Sequence, residues 1–175
     1  MDATKWVDRF MGLAHHIATW SSCIREGRQV GAVIVKEGQI ISTGYNGAPS
    51  RVESCKEKGF CIRDELHIES GTRHEICQAA HAEQNAIVQA AKHGVSVKDG
   101  ILYCTHQPCS ICMKIIINAG IKEVVYDQGY PDDATITLAE EAGVHISQID
   151  DLKKQIEAYY PILEKMNEVV KVMTY

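Results

Sequence analysis

The sequence predicts a three-layer α/β/α sandwich around a central mixed five-stranded sheet, and three observations support this fold class. Short β-branched runs alternate with segments of helical spacing in the second half of the chain, which indicates right-handed crossovers. Two earlier runs are separated only by a short glycine-containing turn, which indicates a hairpin. A length of 175 residues with 45% hydrophobic content suits a single domain over residues 1–175 with one core.

A helix and the hairpin are the first predicted elements. Near the N-terminus, apolar side chains recur at alternating steps of four and three residues, so they share one face of a helix. This apolar stripe consists of Trp6, Phe10, Leu13, Ile17 and Trp20. The runs at residues 30–35 and 40–43 then predict the two strands of the hairpin.

Residues 44–76 form the longest irregular stretch in the sequence. They show no sustained period and carry glycine, proline, serine and clusters of charged residues. A loop of this length inside a compact domain is uncommon unless it is functional or is held by something other than a core. We therefore expect one of these two conditions to apply here.

Helices and strands alternate through the rest of the chain. The sequence predicts helices at residues 76–93, 109–119 and 133–142, and strands at residues 101–105, 123–126 and 144–149. The first two of these helices are followed by Gly94 and Gly120, which suit C-terminal caps. Residues 150–175 are expected to form a C-terminal amphipathic helix that packs on the body or on another subunit.

The strongest chemical signal is a pair of motifs, His81-Ala82-Glu83 and Pro-Cys-Ser-Ile-Cys ending at Cys112, each near a predicted helix start. Cys109 and Cys112 lie one helical turn apart, so two thiolates can bind one tetrahedral ion. The positive end of a helix dipole also favours thiolates. His81 is the third expected ligand, which leaves the fourth position of a catalytic zinc for water.

Glu83 is the expected acid-base residue of this site. Its carboxylate can take a proton from the water and return protons to a ring nitrogen and a departing amine. The alternative is a closed structural zinc site with Cys104 or His106 as fourth ligand, and that site would leave Glu83 without a task. Taken alone, Cys104 is better interpreted as a small core residue.

These motifs resemble those of the deoxycytidylate deaminase family within the cytidine deaminase superfamily. The His-x-Glu and Pro-Cys-x-x-Cys spacing matches the zinc deaminase signature. The resemblance covers roughly residues 23–149 and is clearest at residues 30–35, 44–49, 81–87 and 108–120. It implies a cytidine deaminase-like fold and the zinc-dependent hydrolysis of dCMP to dUMP and ammonia, a step that feeds thymidylate synthesis.

The resemblance also implies substrate contacts. Asn46 would bind the deoxyribose hydroxyl, the backbone amide of Ala82 would face the pyrimidine carbonyl, and Tyr130 would bind the 5′-phosphate. Lys92 lies where some relatives carry an arginine for that phosphate. The alternatives are that Asn46, between two glycines, is a turn residue and that Lys92 is a solvated helix charge.

An effector site is a further implication of the resemblance. Gly44, Tyr45 and Gly47 lie in a segment similar to one that regulated members use, between subunits, to bind dCTP or dTTP, with Mg²⁺ accompanying the triphosphate. Arg28 is close in sequence to supply a phosphate contact, as are Arg25 and Lys36. Regulated members usually assemble as hexamers, so a homo-oligomer is expected.

A second zinc is expected to hold the long loop, as in some bacterial and phage members of the family. Four ligands would offset the entropy cost of ordering this segment. The expected ligands are Cys23, Cys55, His74 and Cys77, with Cys61 in reserve. Unlinked thiols and a surface histidine are the alternative, because the spacing matches no compact zinc-finger pattern.

Composition limits the other functional classes. A net charge of −5 with no block of Lys or Arg argues against a nucleic acid partner such as the substrate of a tRNA adenosine deaminase. No run is long and apolar enough for a membrane span, and no signal peptide pattern is present, so a cytoplasmic location is expected. A cytidine deaminase and a silent nucleotide-binding zinc scaffold stay as alternatives, although a scaffold would have no use for Glu83.

Overall fold

The computed structural model describes residues 3–69, 72–129 and 132–159, and its core is one sheet. The strands are β1 (Gly31–Lys36), β2 (Gln39–Tyr45), β3 (Ile101–His106), β4 (Glu123–Gln128) and β5 (His145–Gln148). Their order is β2-β1-β3-β4-β5. Strand β1 is antiparallel to both of its neighbours, whereas β3, β4 and β5 run parallel. The predicted mixed five-stranded sheet is confirmed.

Helices cover both faces of this sheet. They are α1 (Ala3–Ala18), α2 (Cys55–Lys58), α3 (Ile62–Glu65), α4 (Ala82–Lys92), α5 (Ser110–Asn118), α6 (Asp133–Ala142) and α7 (residues 149–159). Alternate strand residues point to opposite faces. Ala32, Leu102 and Val124 pack with α4, α5 and α6, while Val33 and Val125 pack with α1 and α7. The predicted three-layer sandwich is therefore confirmed.

The α1 helix buries only part of the predicted apolar stripe. Phe10 and Ile17 are buried against the sheet, but Trp6 and Trp20 are 43% and 55% exposed. Trp20 lies beyond the end of α1 at Ala18, so the prediction that it belongs to the helical face was wrong. Small residues let the helix approach the sheet instead, and Ala14 is fully buried there.

The start of α4 and the structure of the long loop differ from the predictions. The helix predicted from residue 76 begins only at Ala82, because Ala80 forms an isolated bridge with Gly47 and holds the preceding chain in an extended form. Residues His74–Ile76 form a short 3₁₀ helix. The long loop is also less irregular than predicted, since α2 and α3 lie within it.

The C-terminal helix was predicted for residues 150–175, and residues 149–159 are helical. Ile149 is buried, and Leu152 and Ile156 pack against the core that includes α1. The rest of this prediction, from residue 160 onward, lies outside the described residues. None of the helices in the described ranges combines the length and the apolar character that a bilayer span requires.

Candidate active site and metal centre

Two helix N-termini bring the predicted zinc ligands together. His81 is the N-cap residue of α4, and Cys109 is the N-cap residue of α5, with Cys112 in its first turn. Nδ1 of His81 lies 3.6 Å from Sγ of Cys109 and 3.3 Å from Sγ of Cys112. Within the described ranges, these three residues are the only group of three or more His, Cys, Asp and Glu side chains whose ligand atoms all lie within 4.8 Å.

The donor set fits zinc. Typical zinc–sulfur and zinc–nitrogen bonds in a tetrahedral site place a sulfur and a nitrogen ligand about 3.5 Å apart, close to both measured separations. Neither Cys104 nor His106 joins the group, so the described part of the chain offers three protein ligands, the number expected for a zinc site whose fourth position takes water. Cys104 is fully buried among core residues, as expected for a small apolar side chain.

The two thiols are electrostatically unequal. A hydrogen bond from the Cys112 thiol lowers the pKa of Cys109 to about 3, and the nearby His81 imidazole adds to this effect although burial opposes it. The same hydrogen bond, together with burial, raises the pKa of Cys112. The close contact of the two sulfurs and the imidazole thus favours a thiolate in this pair, and the thiolate is the form that binds a metal ion.

Glu83 lies in the first turn of α4, beside the metal ligands, and is only 4% exposed. Burial raises the pKa of its carboxyl group, while the His81 imidazole acts in the opposite direction. A carboxyl group whose protonated form is favoured by burial can serve as a proton donor as well as an acceptor. The position and the environment of Glu83 therefore suit acid-base chemistry.

A pocket opens onto this centre, and several of the predicted binding residues line it. Asn46, Ala82 and Arg28 are on its wall, close to His81 and Glu83. Lys92 is not, because it is the exposed last residue of α4, at the end of the helix opposite the metal ligands. Tyr130 lies outside the described residues.

Asn46 has a definite structural role in addition to lining the pocket. Its Oδ1 accepts a hydrogen bond from the backbone N–H of Val30 (2.8 Å), and its Nδ2 donates to the backbone carbonyl of Arg28 (2.8 Å). The side chain therefore fixes the backbone that enters β1. One N–H and one oxygen lone pair remain for a ligand.

The predicted effector segment packs closely inside the fold. A Cβ atom on Gly44 would lie 2.3 Å from the carbonyl oxygen of Ala82, so only glycine lets β2 approach α4 at this point. Gly47 forms the bridge with Ala80, and the Tyr45 ring stands edge-on to Trp20. None of these three residues lines the pocket, and the effector site stays a prediction.

The residues predicted to bind a second zinc all belong to the lining of the same pocket. Cys23, Cys55, Cys61, His74 and Cys77 all line it. Burial raises the pKa of Cys23 and of Cys55, and charge interactions with the neighbouring thiols raise both further. No three of these side chains have ligand atoms within 4.8 Å of one another. The His74 ring also contacts the His81 ring edge-on, with 5.5 Å between centroids.

Sequence reasoning missed some of the pocket residues. Arg63 is 5% exposed, and its guanidinium donates to the backbone carbonyls of Arg73 (2.7 Å) and Glu69 (2.8 Å). Nothing in its local sequence marks it, because it lies in the aperiodic stretch. His106 also lines the pocket, and burial, followed by the charge of Arg28, lowers its pKa.

Comparisons with known proteins agree with this geometry. The family model for the cytidine and deoxycytidylate deaminase zinc-binding region matches residues 4–128. Deoxycytidylate deaminase of Schizosaccharomyces pombe is 39% identical over 144 residues, which are 82% of this chain but only 44% of that longer protein. ComE operon protein 2 of Bacillus subtilis is 36% identical over 151 residues, 86% of this chain and 74% of that protein.

Among solved structures, the chain resembles the dCMP deaminase of cyanophage S-TIM5 in complex with dCMP and dUMP. The TM-score is 0.65 at 34% identity, and the match covers 81% of this chain and 94% of that one. The family match extends across both motifs that supply His81, Glu83, Cys109 and Cys112. The chain therefore belongs to the cytidine and deoxycytidylate deaminase family.

Proposed function

We propose that this protein hydrolyses dCMP to dUMP and ammonia. The observation that carries the proposal is the group of His81, Cys109 and Cys112 with a buried carboxyl group, Glu83, beside it at a pocket that contains arginines. Relatives named deoxycytidylate deaminase, and the similarity to a phage enzyme whose structure contains dCMP and dUMP, support this choice of substrate.

The chain's own residues have separate tasks in this reaction. Zinc bound by the three ligands would supply Lewis acidity and a water molecule that is activated at neutral pH. Glu83 takes a proton from the attacking water and delivers it to N3 of the cytosine ring. It then takes the remaining proton of the hydroxyl group added at C4 and delivers it to the amine, which leaves as ammonia while the C4 carbonyl forms. Because Glu83 is buried, its protonated form is stabilised between these transfers.

Base and sugar are bound by backbone and amide groups. The N–H of Ala82, at the N-terminus of α4, is a free helix donor that can face the pyrimidine carbonyl. Asn46 retains the hydrogen-bonding capacity to bind the deoxyribose hydroxyl. The support for both roles is that the two residues line the pocket beside His81.

Arg28 is the residue best placed to bind the 5′-phosphate. Arg25 is paired with Asp64 (3.0 Å), and the guanidinium of Arg63 is occupied by two backbone carbonyls. By contrast, within the described residues the Arg28 side chain forms neither a hydrogen bond nor an ion pair, and it lines the pocket. The phosphate contact is therefore assigned to Arg28 and not to Lys92, and Tyr130 is retained as a second phosphate ligand.

Three further features are proposed with this function. A second zinc is bound by Cys23, Cys55, His74 and Cys77, and the presence of all four in the lining of one pocket supports it. A homohexamer is formed, and dCTP or dTTP with Mg²⁺ regulates it through the segment of Gly44, Tyr45 and Gly47. Exposed apolar side chains on α4 and α5 support self-association. They are Val88, Ile111 and Ile115.

A cytoplasmic location completes the proposal. All seven cysteines are free, and zinc–thiolate sites require reduced thiols. Such a site persists in a reducing compartment, and the cytoplasm is one.

An ammonia-release assay across cytosine substrates tests the proposed activity. The panel comprises cytidine, deoxycytidine, and the mono-, di- and triphosphates of both, with an adenosine-containing tRNA anticodon stem-loop as a further arm. We expect the highest kcat/KM on dCMP. Equal values on deoxycytidine and dCMP would indicate a nucleoside deaminase, release from the RNA alone would indicate a tRNA deaminase, and no release from any substrate would favour the scaffold.

A further inference from the structure

A carboxylate from a neighbouring helix holds the turn that carries the two cysteine ligands. Asp132 is the N-cap residue of α6, and one of its oxygens accepts a hydrogen bond from the backbone N–H of Thr135 (3.2 Å). Its other oxygen accepts a hydrogen bond from the backbone N–H of Ser110, the first residue of α5, at 2.8 Å. A single side chain therefore caps two helices.

The reason for this arrangement lies in the cap of α5 itself. The first N–H groups of a helix have no acceptor within the helix, and the side chain of the N-cap residue usually supplies one. In α5 that residue is Cys109, whose sulfur faces His81 and Cys112. An N-cap side chain usually accepts from the second or third N–H of a helix. The first N–H of α5, that of Ser110, instead donates to Asp132, which lies outside the helix.

A second contact from α6 fixes the other side of Cys109. Thr135 is fully buried, and its hydroxyl donates to the backbone carbonyl of Pro108 (3.1 Å). Pro108 and Ser110 are the two chain neighbours of Cys109. The backbone on each side of this ligand is therefore hydrogen-bonded to the N-terminus of α6.

We propose that Asp132 is a positioning residue for the zinc site, because its carboxylate binds the first N–H of α5 and so holds the turn that carries Cys109 and Cys112. The proposal rests on the zinc site of the proposed function. Groups that orient metal ligands commonly alter metal affinity by about ten- to a hundred-fold when they are removed. The prediction for Asp132 is a change of that size in zinc retention.

The test measures how fast zinc-loaded protein transfers its catalytic zinc to a coloured chelator. Asp132→Asn and Asp132→Ser are compared with wild type. Serine is a good N-cap residue, so the second variant keeps a cap on α6, but its one short oxygen cannot reach both helices. We expect both variants to release the zinc about ten- to a hundred-fold faster than wild type.

Asp133→Asn is the matched control. Asp133 is the exposed first residue of α6, so this change removes the same charge from the same helix end without touching a hydrogen bond to α5. Its zinc release is expected to equal that of wild type. Thr135→Val and Thr135→Ser form a second pair, in which only the valine variant loses the hydroxyl bonded to Pro108 and releases zinc faster.

Two outcomes would overturn the proposal. One is zinc release at the wild-type rate in both Asp132 variants. The other is failure of both Asp132 variants to fold while Asp133→Asn folds, which would show that the carboxylate maintains the fold and not the metal site. Faster release from the Asp132 variants of a protein that deaminates none of the tested substrates would support the positioning role while contradicting the proposed function.

Discussion

At the scale of single residues, Glu83 is the group on which the proposed chemistry depends. Glu83→Gln keeps the size of the side chain but removes its ability to accept a proton. General acid-base steps contribute about a hundred- to ten-thousand-fold to the rate, so kcat on dCMP should fall by about a hundred-fold or more. Elemental analysis should show unchanged zinc at the catalytic site. A near-normal rate at normal zinc content would contradict the mechanism.

Arg28 and Lys92 give a matched pair for the phosphate contact. Arg28→Gln should remove a charged hydrogen bond worth about 1.5–3 kcal/mol, so kcat/KM on dCMP should fall by roughly ten- to a hundred-fold. The rate on deoxycytidine should barely change, since that substrate has no phosphate. Lys92→Gln should match wild type on both substrates. Equal losses on both substrates in Arg28→Gln would show that Arg28 supports the fold and does not bind phosphate.

The candidate metal ligands and acid-base residue could be proposed from the sequence because their spacing is local. Cys109 and Cys112 share a helical turn, and His81 and Glu83 are two positions apart. The relative placement of the residues within each motif can therefore be inferred without knowledge of the rest of the chain. The pocket arginines could not be ranked in this way. Only the fold shows that Asp64 pairs with Arg25 and that Arg28 is left unpaired within the described residues.

At the scale of secondary structure elements, two glycines set how closely the helices approach the sheet. A Cβ atom on Gly31 would lie 2.0 Å from the carbonyl oxygen of Ala14 in α1, on one face. A Cβ atom on Gly44 would lie 2.3 Å from the carbonyl oxygen of Ala82 in α4, on the other face. Both helices therefore pack on glycine, but only α4 carries active-site residues.

This difference predicts two separable phenotypes. Gly31→Ala and Gly44→Ala should each destabilise the protein by about 1–3 kcal/mol or more, because the new methyl group meets rigid backbone. Urea unfolding measures this loss. Only Gly44→Ala should also lower kcat of the folded protein, since it shifts the start of α4. Unchanged kcat in folded Gly44→Ala would show that α4 accommodates the methyl group without moving Glu83.

Helix boundaries were less predictable than the presence of the helices. The pattern before α4 is apolar and rich in alanine, so sequence alone extends the helix back to residue 76. The actual start depends on the pairing of Ala80 with Gly47, a contact between distant positions. Strands β3 and β4 were easier to predict, because a short β-branched run between two helices leaves few alternatives to a buried strand.

At the scale of the whole molecule, the long loop and the sandwich share the wall of one pocket. The sheet and its two helical layers follow from local periodicity and were predicted in outline. The loop has no such periodicity, and its thiols come together only through the tertiary fold. Its proposed metal is therefore best tested through the stability of the entire chain.

We predict close to two zincs per chain. Cys55→Ser should lower that value to about one and reduce the melting temperature, while the catalytic zinc stays bound. Cys61→Ser is the comparison, because this cysteine is held in reserve as a ligand and should leave the count unchanged. Elemental analysis and thermal unfolding provide both measurements. A count of one zinc in the wild-type protein would show that the loop binds no zinc. A lower count in Cys61→Ser, with an unchanged count in Cys55→Ser, would show that Cys61 is the ligand in place of Cys55.

The edge-on contact between His74 and His81 connects the proposed loop site with the candidate catalytic centre. If an ion in the loop reorients one ring, it would disturb the other. Linkage would then require reciprocity: whatever factor an ion in the loop contributed to affinity at the centre, an ion at the centre would contribute to affinity in the loop. The order in which the two ions are acquired cannot change the final free energy, although it can change the rate of assembly.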